Sequence, residues 1–241
     1  MNAKDHYQNH LANFYSWMIG NFAEKQLEQE HLFKVNDIKP QSNKISIDLG
    51  AGNGLQSVGL ARLGFNVFAV DFNGQLLDEL NSNKGDLPVQ TVVDDALHFM
   101  KAFDGKAELI ICMGDTITHL ESITQVELLV AEISNHLSPG GKVILSFRDL
   151  VKNLNGDDRF IPVRSDENRI HTCFLEYFDT HVMVHDILHE RHSGKWMQKV
   201  SSYPKLRMGV AQMELLLERE FKILYSQCLK GMNYLIAQKI R

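Results

Sequence analysis

Lys44-Ile45-Ser46-Ile47-Asp48-Leu49-Gly50-Ala51-Gly52-Asn53-Gly54-Leu55-Gln56-Ser57 is the stretch on which the rest of the chain is organised. A short alternating apolar segment closes on an acid, three glycines follow at every second position, and a helix-compatible segment comes next. That order predicts a strand handing over to a helix around a ligand. Glycine has no Cβ, so the turn can take backbone angles closed to other residues and a ligand can lie directly against the chain. A dinucleotide fingerprint would read Gly-x-Gly-x-x-Gly, with the third glycine serving helix packing. Here position 55 is Leu and the third glycine is Gly54. A glycine-rich turn with no ligand is the bland alternative, and it weakens as further ligand-compatible residues accumulate downstream.

Working outward, Phe65 to Val70 is a near-continuous apolar run, as expected of a buried parallel strand. It ends in Asp71 and Phe72, about twenty residues after the first glycine, at the carboxyl edge where open α/β sheets bind ligands. An aspartate there can accept two hydrogen bonds from vicinal hydroxyls. A third unit, Val89 to Val93, leads into Asp94-Asp95-Ala96, where one acid can cap the next helix. A fourth strand, Glu108 to Cys112, runs into Met113-Gly114-Asp115-Thr116-Ile117-Thr118-His119-Leu120 and brings mixed polar groups to the same edge. The segment Thr124 to Leu137 predicts a helix covering the sheet, stopped by the turn Ser138-Pro139-Gly140-Gly141. A fifth strand, Lys142 to Phe147, delivers Arg148, a fork suited to a carboxylate or phosphate or to an acid of its own chain.

The flanks read differently. Residues 1–35 predict a helical cap with Leu11, Tyr15, Met18 and Phe22 on one stripe, separated by the linker 37–43 from the core. Tyr7 and Tyr15 on that cap are either packing residues or lid residues over the ligand. Residues 151–205 abandon the strand–helix alternation and predict three antiparallel strands, Phe174–Phe178, His181–Glu190 and Lys195–Ser202. His181, His185 and His189 are spaced ~13 Å apart on a strand, too far for one ion, so no metal site is expected. Tyr203 precedes Pro204 at the end of this insertion. A helix over 208–220 and a hairpin of Phe221–Gln227 with Met232–Gln238 complete the sheet. The expected layout is a single domain over 1–241, comprising a cap (1–40), a core (44–150 and 206–241) and an acceptor-side β insertion (151–205).

The pattern Asp-x-Gly-x-Gly-x-Gly resembles motif I of class I S-adenosylmethionine (SAM) dependent methyltransferases. The resemblance implies a Rossmann-like α/β sheet with a C-terminal antiparallel hairpin, an N-terminal helical cap and an antiparallel insertion after strand five. It implies cofactor contacts from Tyr15, Asp48, Gly50, Ala51, Gly52 and Gly54, with Asp48 near the amino-acid end of SAM. Asp71 with Phe72 would serve the ribose. Asp95 with Ala96 would meet the adenine, Asp94 serving there or only as a helix cap. Cys112, Met113 and Gly114 would border the methionine end. The segment Cys112 to Leu120 is similar to Cys-Leu-Gly-Asn-Ser-x-x-His-Leu of glycine N-methyltransferases, with Asp115 in place of Asn. That departure implies disfavour towards a carboxylate set against it and favour towards a cationic or hydroxylated acceptor. The resemblance further implies Asp115 or His119 as orienting group or base, and Tyr7, Arg148 and Tyr203 as acceptor-binding residues. The Arg148-Asp149-Leu150 and Ser202-Tyr203-Pro204-Lys205 contexts match the family only in part. The implied reaction is methyl transfer to a nitrogen or oxygen of a small molecule, an amine or amino acid among them. A nicotinamide-dependent oxidoreductase and a non-catalytic SAM-binding protein are the rivals.

Composition narrows partners rather than chemistry. The net charge of -5 with 44% hydrophobic residues provides no basic footprint for nucleic acid beyond local patches. No apolar run approaches the ~18 residues that span a bilayer, and no leader is legible, so no membrane partner is expected. Cys112, Cys173 and Cys228 lie far apart and in no paired spacing, which predicts reduced thiols and a cytoplasmic protein. Oligomeric state is open, a homo-oligomer included.

Overall fold

The computed structural model describes residues 2–240. In chain order the elements are α1 (Ala3–Asn9), α2 (Tyr15–Ile19), α3 (Phe22–Val35), β1 (Ile45–Leu49), α4 (Leu55–Arg62), β2 (Asn66–Asp71), α5 (Gly74–Lys84), β3 (Val89–Val93), α6 (Ala96–Ala102), β4 (Ala107–Cys112), α7 (Ile123–His136) and β5 (Leu137–Phe147). They continue with β6 (Phe160–Ser165), β7 (Arg169–Tyr177), β8 (His181–His192), β9 (Lys195–Leu206), α8 (Val210–Leu217), β10 (Phe221–Leu229) and β11 (Met232–Lys239).

One sheet has the order β10-β11-β5-β4-β1-β2-β3, parallel from β5 to β3, with β11 antiparallel to both of its neighbours. The chain leaves β1 towards β2 and β3 on one side and returns to β4 and β5 on the other. This reversal opens a crevice at the carboxyl ends of β1 and β4, where α/β sheets bind ligands. β4 is buried along its whole length, which accounts for its unbroken apolar run. Two apolar layers sandwich the sheet. Phe147, Leu145, Met213 and the inner face of α7 lie on one side, and Phe33, Leu60, Phe65 and Leu80 on the other. Each such side chain contributes about 1.5–3 kcal/mol on burial.

The second sheet, β6-β7-β8-β9, stands over the carboxyl edge of the first. It has four strands where three are expected. Phe160–Ser165 is a mostly exposed edge strand carrying Pro162, and it lacks the alternation that marks a half-buried strand. β9 runs through Pro204 to Leu206 because it is the opposite edge, where a missing N–H costs no ladder bond. The cap also differs from one continuous helix. It breaks at a 3-10 turn, Leu11–Phe14, and again at Gly20, whose φ of 100° ends α2, after which Asn21 caps α3. Leu11 and Phe14 bury against Leu188 of β8, so the stripe serves two short elements rather than one helix. The Ser138–Gly141 turn is carried inside β5 as a bulge. The register steps from Ala107↔Leu137 to Leu109↔Lys142. Among the described residues no helix is long and apolar enough to cross a membrane.

One buried acid fixes the entry to the core. Glu108 at the start of β4 accepts hydrogen bonds from the backbone N–H groups of Gln41 (2.9 Å), Ser42 (2.7 Å) and Lys44 (2.7 Å) and from Ser42 Oγ (2.9 Å). These bonds hold the 37–43 linker against the sheet. Hydrogen bonds to a charged group are worth about 1.5–3 kcal/mol each and are not additive, so Glu108→Ala is expected to lower urea-unfolding stability by about 3 kcal/mol. A loss below about 1 kcal/mol would show that the linker is held otherwise.

Candidate active site

The glycine turn takes the shape that its composition predicts. Gly50, Gly52 and Gly54 have φ values of 78°, 53° and 95°, a region that L side chains rarely adopt. A Cβ on Gly50 would overlap Thr116, and one on Gly54 would lie 2.6 Å from Leu80 Cγ. The turn is held from beneath by Asp71, whose carboxylate accepts from the N–H of Gly52 (2.9 Å) and of Asn73 (2.8 Å). Burial raises the pKa of Asp71. From above it is held by the cap: Asn53 Nδ2 donates to Ser16 Oγ (2.9 Å), and Ser16 Oγ donates to Glu79. Tyr15 lies over Gly52. Asp48 is buried below the turn, where it accepts from Ser57 Oγ (2.6 Å). Burial is the main reason that its pKa is pushed up to about 7.

A cavity of about 710 Å³ opens between the carboxyl edge of the first sheet and the second sheet. Gly50, Asp71, Phe72, Asp94, Asp95, Ala96, Cys112 and His119 line it. The structure thus brings eight of the expected site residues to one wall. Asp48, Ala51, Gly52, Gly54, Met113, Gly114, Tyr15, Tyr7, Asp115, Arg148 and Tyr203 lie outside that lining. Cys112 is fully buried at the end of β4, and desolvation drives its thiol pKa well upward. Of the paired acids, Asp95 is the helix cap, accepting from Leu97 N–H (2.9 Å) and His98 N–H (3.2 Å). Asp94 pairs with the His98 ring (2.8 Å). The capping role expected of Asp94 therefore belongs to Asp95, because the residue directly before the first helical turn has the extended backbone a cap requires.

Asp115 departs furthest from its expected setting. It is 2% exposed and has φ 76°. Its carboxylate accepts from Arg148 N–H (2.7 Å) and Lys205 Nζ (2.9 Å), and it is ion-paired to Arg148 Nη1. Desolvation opposes ionisation here, but the two cations and their hydrogen bonds outweigh it and hold the carboxyl well below the usual range. With two cations on one anion, the group carries a formal charge of +1 rather than the lone negative charge that Asp in place of Asn suggests. It neither repels a carboxylate nor offers a free base. Lys205 was hidden from sequence reasoning. It follows Pro204 on an edge strand, and nothing in its local pattern aims it at Asp115.

His119, one turn beyond Asp115, sits on the cavity wall. Burial and nearby Lys205 pull its pKa down to about 3, so its ring is neutral at physiological pH. Its Nε2 is buried and has no hydrogen-bond partner among the described residues. Tyr7 and Tyr203 meet the ring edge-on, with centroids at 5.5 and 5.7 Å, and Tyr7 also meets Phe72 at 5.5 Å. Met183, Pro204 and Leu206 close the cavity from the second sheet. Their strand spacing reveals a face but not which ligand it covers.

Residues 47–141 match the model of a methyltransferase domain. The chain is 28% identical over 151 residues to a glycine/sarcosine N-methyltransferase of Aphanothece halophytica, covering 60% of this chain and 56% of that protein. It is 30% identical over 115 residues to a cypemycin N-terminal methyltransferase of Streptomyces, covering 48% and 46%. A SAM-dependent methyltransferase from Clostridium acetobutylicum superposes with a TM-score of 0.73 at 15% identity, over 98% of this chain and 97% of that one. The domain match and the shared fold support a class I SAM-dependent methyltransferase. It spans about half the length of the curated relatives that it matches.

SAM is the cofactor that the methyltransferase match implies, and three observations make the site fit it. The positive-φ turn leaves Gly50 bare at the cavity wall. Asp71 presents a carboxylate at the end of β2. The cavity falls within the ~300–1,000 Å³ typical of small-molecule sites.

Proposed function

We propose that the chain transfers a methyl group from SAM to a nitrogen of a small-molecule amine or amino acid. The observation that carries this reading is His119, a neutral ring on the cavity wall whose buried Nε2 has no hydrogen-bond partner among the described residues. An unsatisfied buried acceptor costs about 1–3 kcal/mol, and a bound donor recovers it. Nε2 accepts the N–H of a neutral amine and turns the nitrogen lone pair into the cavity. With a pKa near 3 the ring is a poor proton acceptor, so His119 orients the amine and the amine must arrive uncharged. Tyr7 and Tyr203 wall the ring and exclude water, which raises the value of that one hydrogen bond. SAM supplies a methyl group already activated by its sulfonium, leaving the protein to align two partners in a dry cavity.

Asp71 holds the ribose hydroxyls of the cofactor, Gly50 admits its close approach, and Asp95 with Ala96 meets the adenine. Arg148 and Lys205 leave net positive charge behind His119, which tolerates a carboxylated acceptor. The names of the two curated relatives above favour nitrogen over oxygen as the methylated atom. Neither a nicotinamide oxidoreductase nor a non-catalytic SAM-binding protein has support in the domain match.

The cofactor assignment predicts that Asp71→Ala weakens binding of S-adenosylhomocysteine about 100-fold in calorimetry, while Arg148→Ala changes it less than about threefold. Equal loss in both variants would contradict the division of roles. For the reaction, incubation with labelled SAM and a panel of amines, amino acids and alcohols should yield methylated amines detectable by mass spectrometry. His119→Ala should lower kcat about 100-fold, the loss expected when a group that aligns the reactants is removed, and leave cofactor affinity unchanged. Methylation of alcohols alone, or full activity in His119→Ala, would overturn the proposal.

A further inference from the structure

Away from the cavity, β7, β8 and β9 carry a polar row inside an otherwise apolar face. Cys173, Asp186 and Ser201 are register partners across the three strands, and His171 lies two residues from Cys173 on the same face of β7. Asp186 is 2% exposed and His171 1%. Among the described residues the only ion-pair partners of Asp186 are two histidines. His171 Nε2 lies 3.0 Å and Cys173 Sγ 2.9 Å from Asp186 Oδ1, and Sγ is 3.8 Å from Nε2. From the cap, His6 on α1 brings Nε2 to 2.8 Å from Asp186 Oδ2, and its Nδ1 lies 2.8 Å from Ser201 Oγ. None of these residues lines the cavity.

We propose that His171, Cys173 and Asp186 form a binding site for one zinc ion, with His6 as an outer partner at the other oxygen of Asp186. An imidazole, a thiolate and a carboxylate are ligands that zinc takes, with its fourth position open to water. Zinc bonds of about 2.1 Å to N or O and 2.3 Å to S put tetrahedral donors about 3.3–3.7 Å apart. The three donor separations on β7 and β8 straddle that spacing, so small side-chain shifts admit the ion. Charge also balances. When a divalent ion replaces the thiol proton, the ion, carboxylate and thiolate sum to zero and the proton leaves to solvent. His6, held at Nδ1 by Ser201, fixes the ligating carboxylate from outside. The three ligands come from paired strands, and His6 ties the cap to the liganded carboxylate of the second sheet. His6 also stacks on Tyr203 at 4.1 Å, which transmits that anchorage to the wall beside His119. The spacing of His181, His185 and His189 argues against a metal on their own face, and these ligands lie on the opposite one.

The test uses the full chain, stripped with a chelator that is then removed, and titrated with Co²⁺ as the probe. The expected result is one equivalent bound, with thiolate-to-cobalt charge-transfer absorption that Zn²⁺ abolishes. Cys173→Ser should lose that absorption, and Cys112→Ser and Cys228→Ser should keep it. His6→Ala, which alters only the short α1 helix and keeps the sheet intact, should weaken Co²⁺ binding at least tenfold. Absence of Co²⁺ binding to the unmodified chain, or charge-transfer absorption that persists in Cys173→Ser, would overturn the proposal. Unchanged affinity in His6→Ala would do the same for the outer role of His6.

Discussion

A single buried carboxylate joins the two halves of this protein. Asp115 stands in the left-handed region directly after β4, a position that aspartate tolerates better than most residues. Its backbone N–H donates to Ser146 on β5, its side chain takes the N–H and guanidinium of Arg148 at the end of β5, and Lys205 reaches it from β9 of the second sheet. Two strand ends of the first sheet and one edge of the second thus converge on one anion. Removing one partner from a buried ion pair costs about 3–5 kcal/mol because the other charge is left stranded. The two sheets consequently hold a fixed separation, and the cavity is the space between them.

The placement of charge within that frame separates structural acids from a working site. Asp115 is ionised and fully engaged, and Asp48 is drawn towards protonation beneath the glycine turn. Asp71 both braces the turn and faces the cavity. His119, made neutral by burial and by the positive charge of Lys205, has a buried Nε2 with no hydrogen-bond partner among the described residues. A methyl donor that carries its own activation asks little acid–base work of the protein. Alignment and dryness matter more, and aromatic rings around one acceptor atom provide both.

Much of the cofactor half was legible because its signals are local. The apolar runs, the glycine triplet and Asp71 lie within short windows, and the backbone geometry they require is a property of those windows. The acceptor half was less so. β6 is an exposed edge with no burial pattern to read, and β9 hides its continuation behind Pro204. Lys205 meets Asp115 across ninety positions of sequence, and no spacing rule reports a contact of that range. The expectation that Asp115 disfavours a carboxylate set against it left out Arg148 and Lys205: the residue type was visible and its counter-ions were not. His6, His171, Cys173 and Asp186 escaped the same way, since their proximity depends on the register of three antiparallel strands and on where α1 docks.

The measurement that bears most directly on this account is a double-mutant cycle between Asp115→Asn and Lys205→Met, read by urea unfolding of the single and double variants. If the buried carboxylate joins the sheets, the coupling energy will be about 2 kcal/mol or more, within the range for residues sharing a salt-bridge network. Additive effects, with coupling under about 0.5 kcal/mol, would mean that the two sheets are held together by apolar packing alone and that Asp115 has no special place in the architecture.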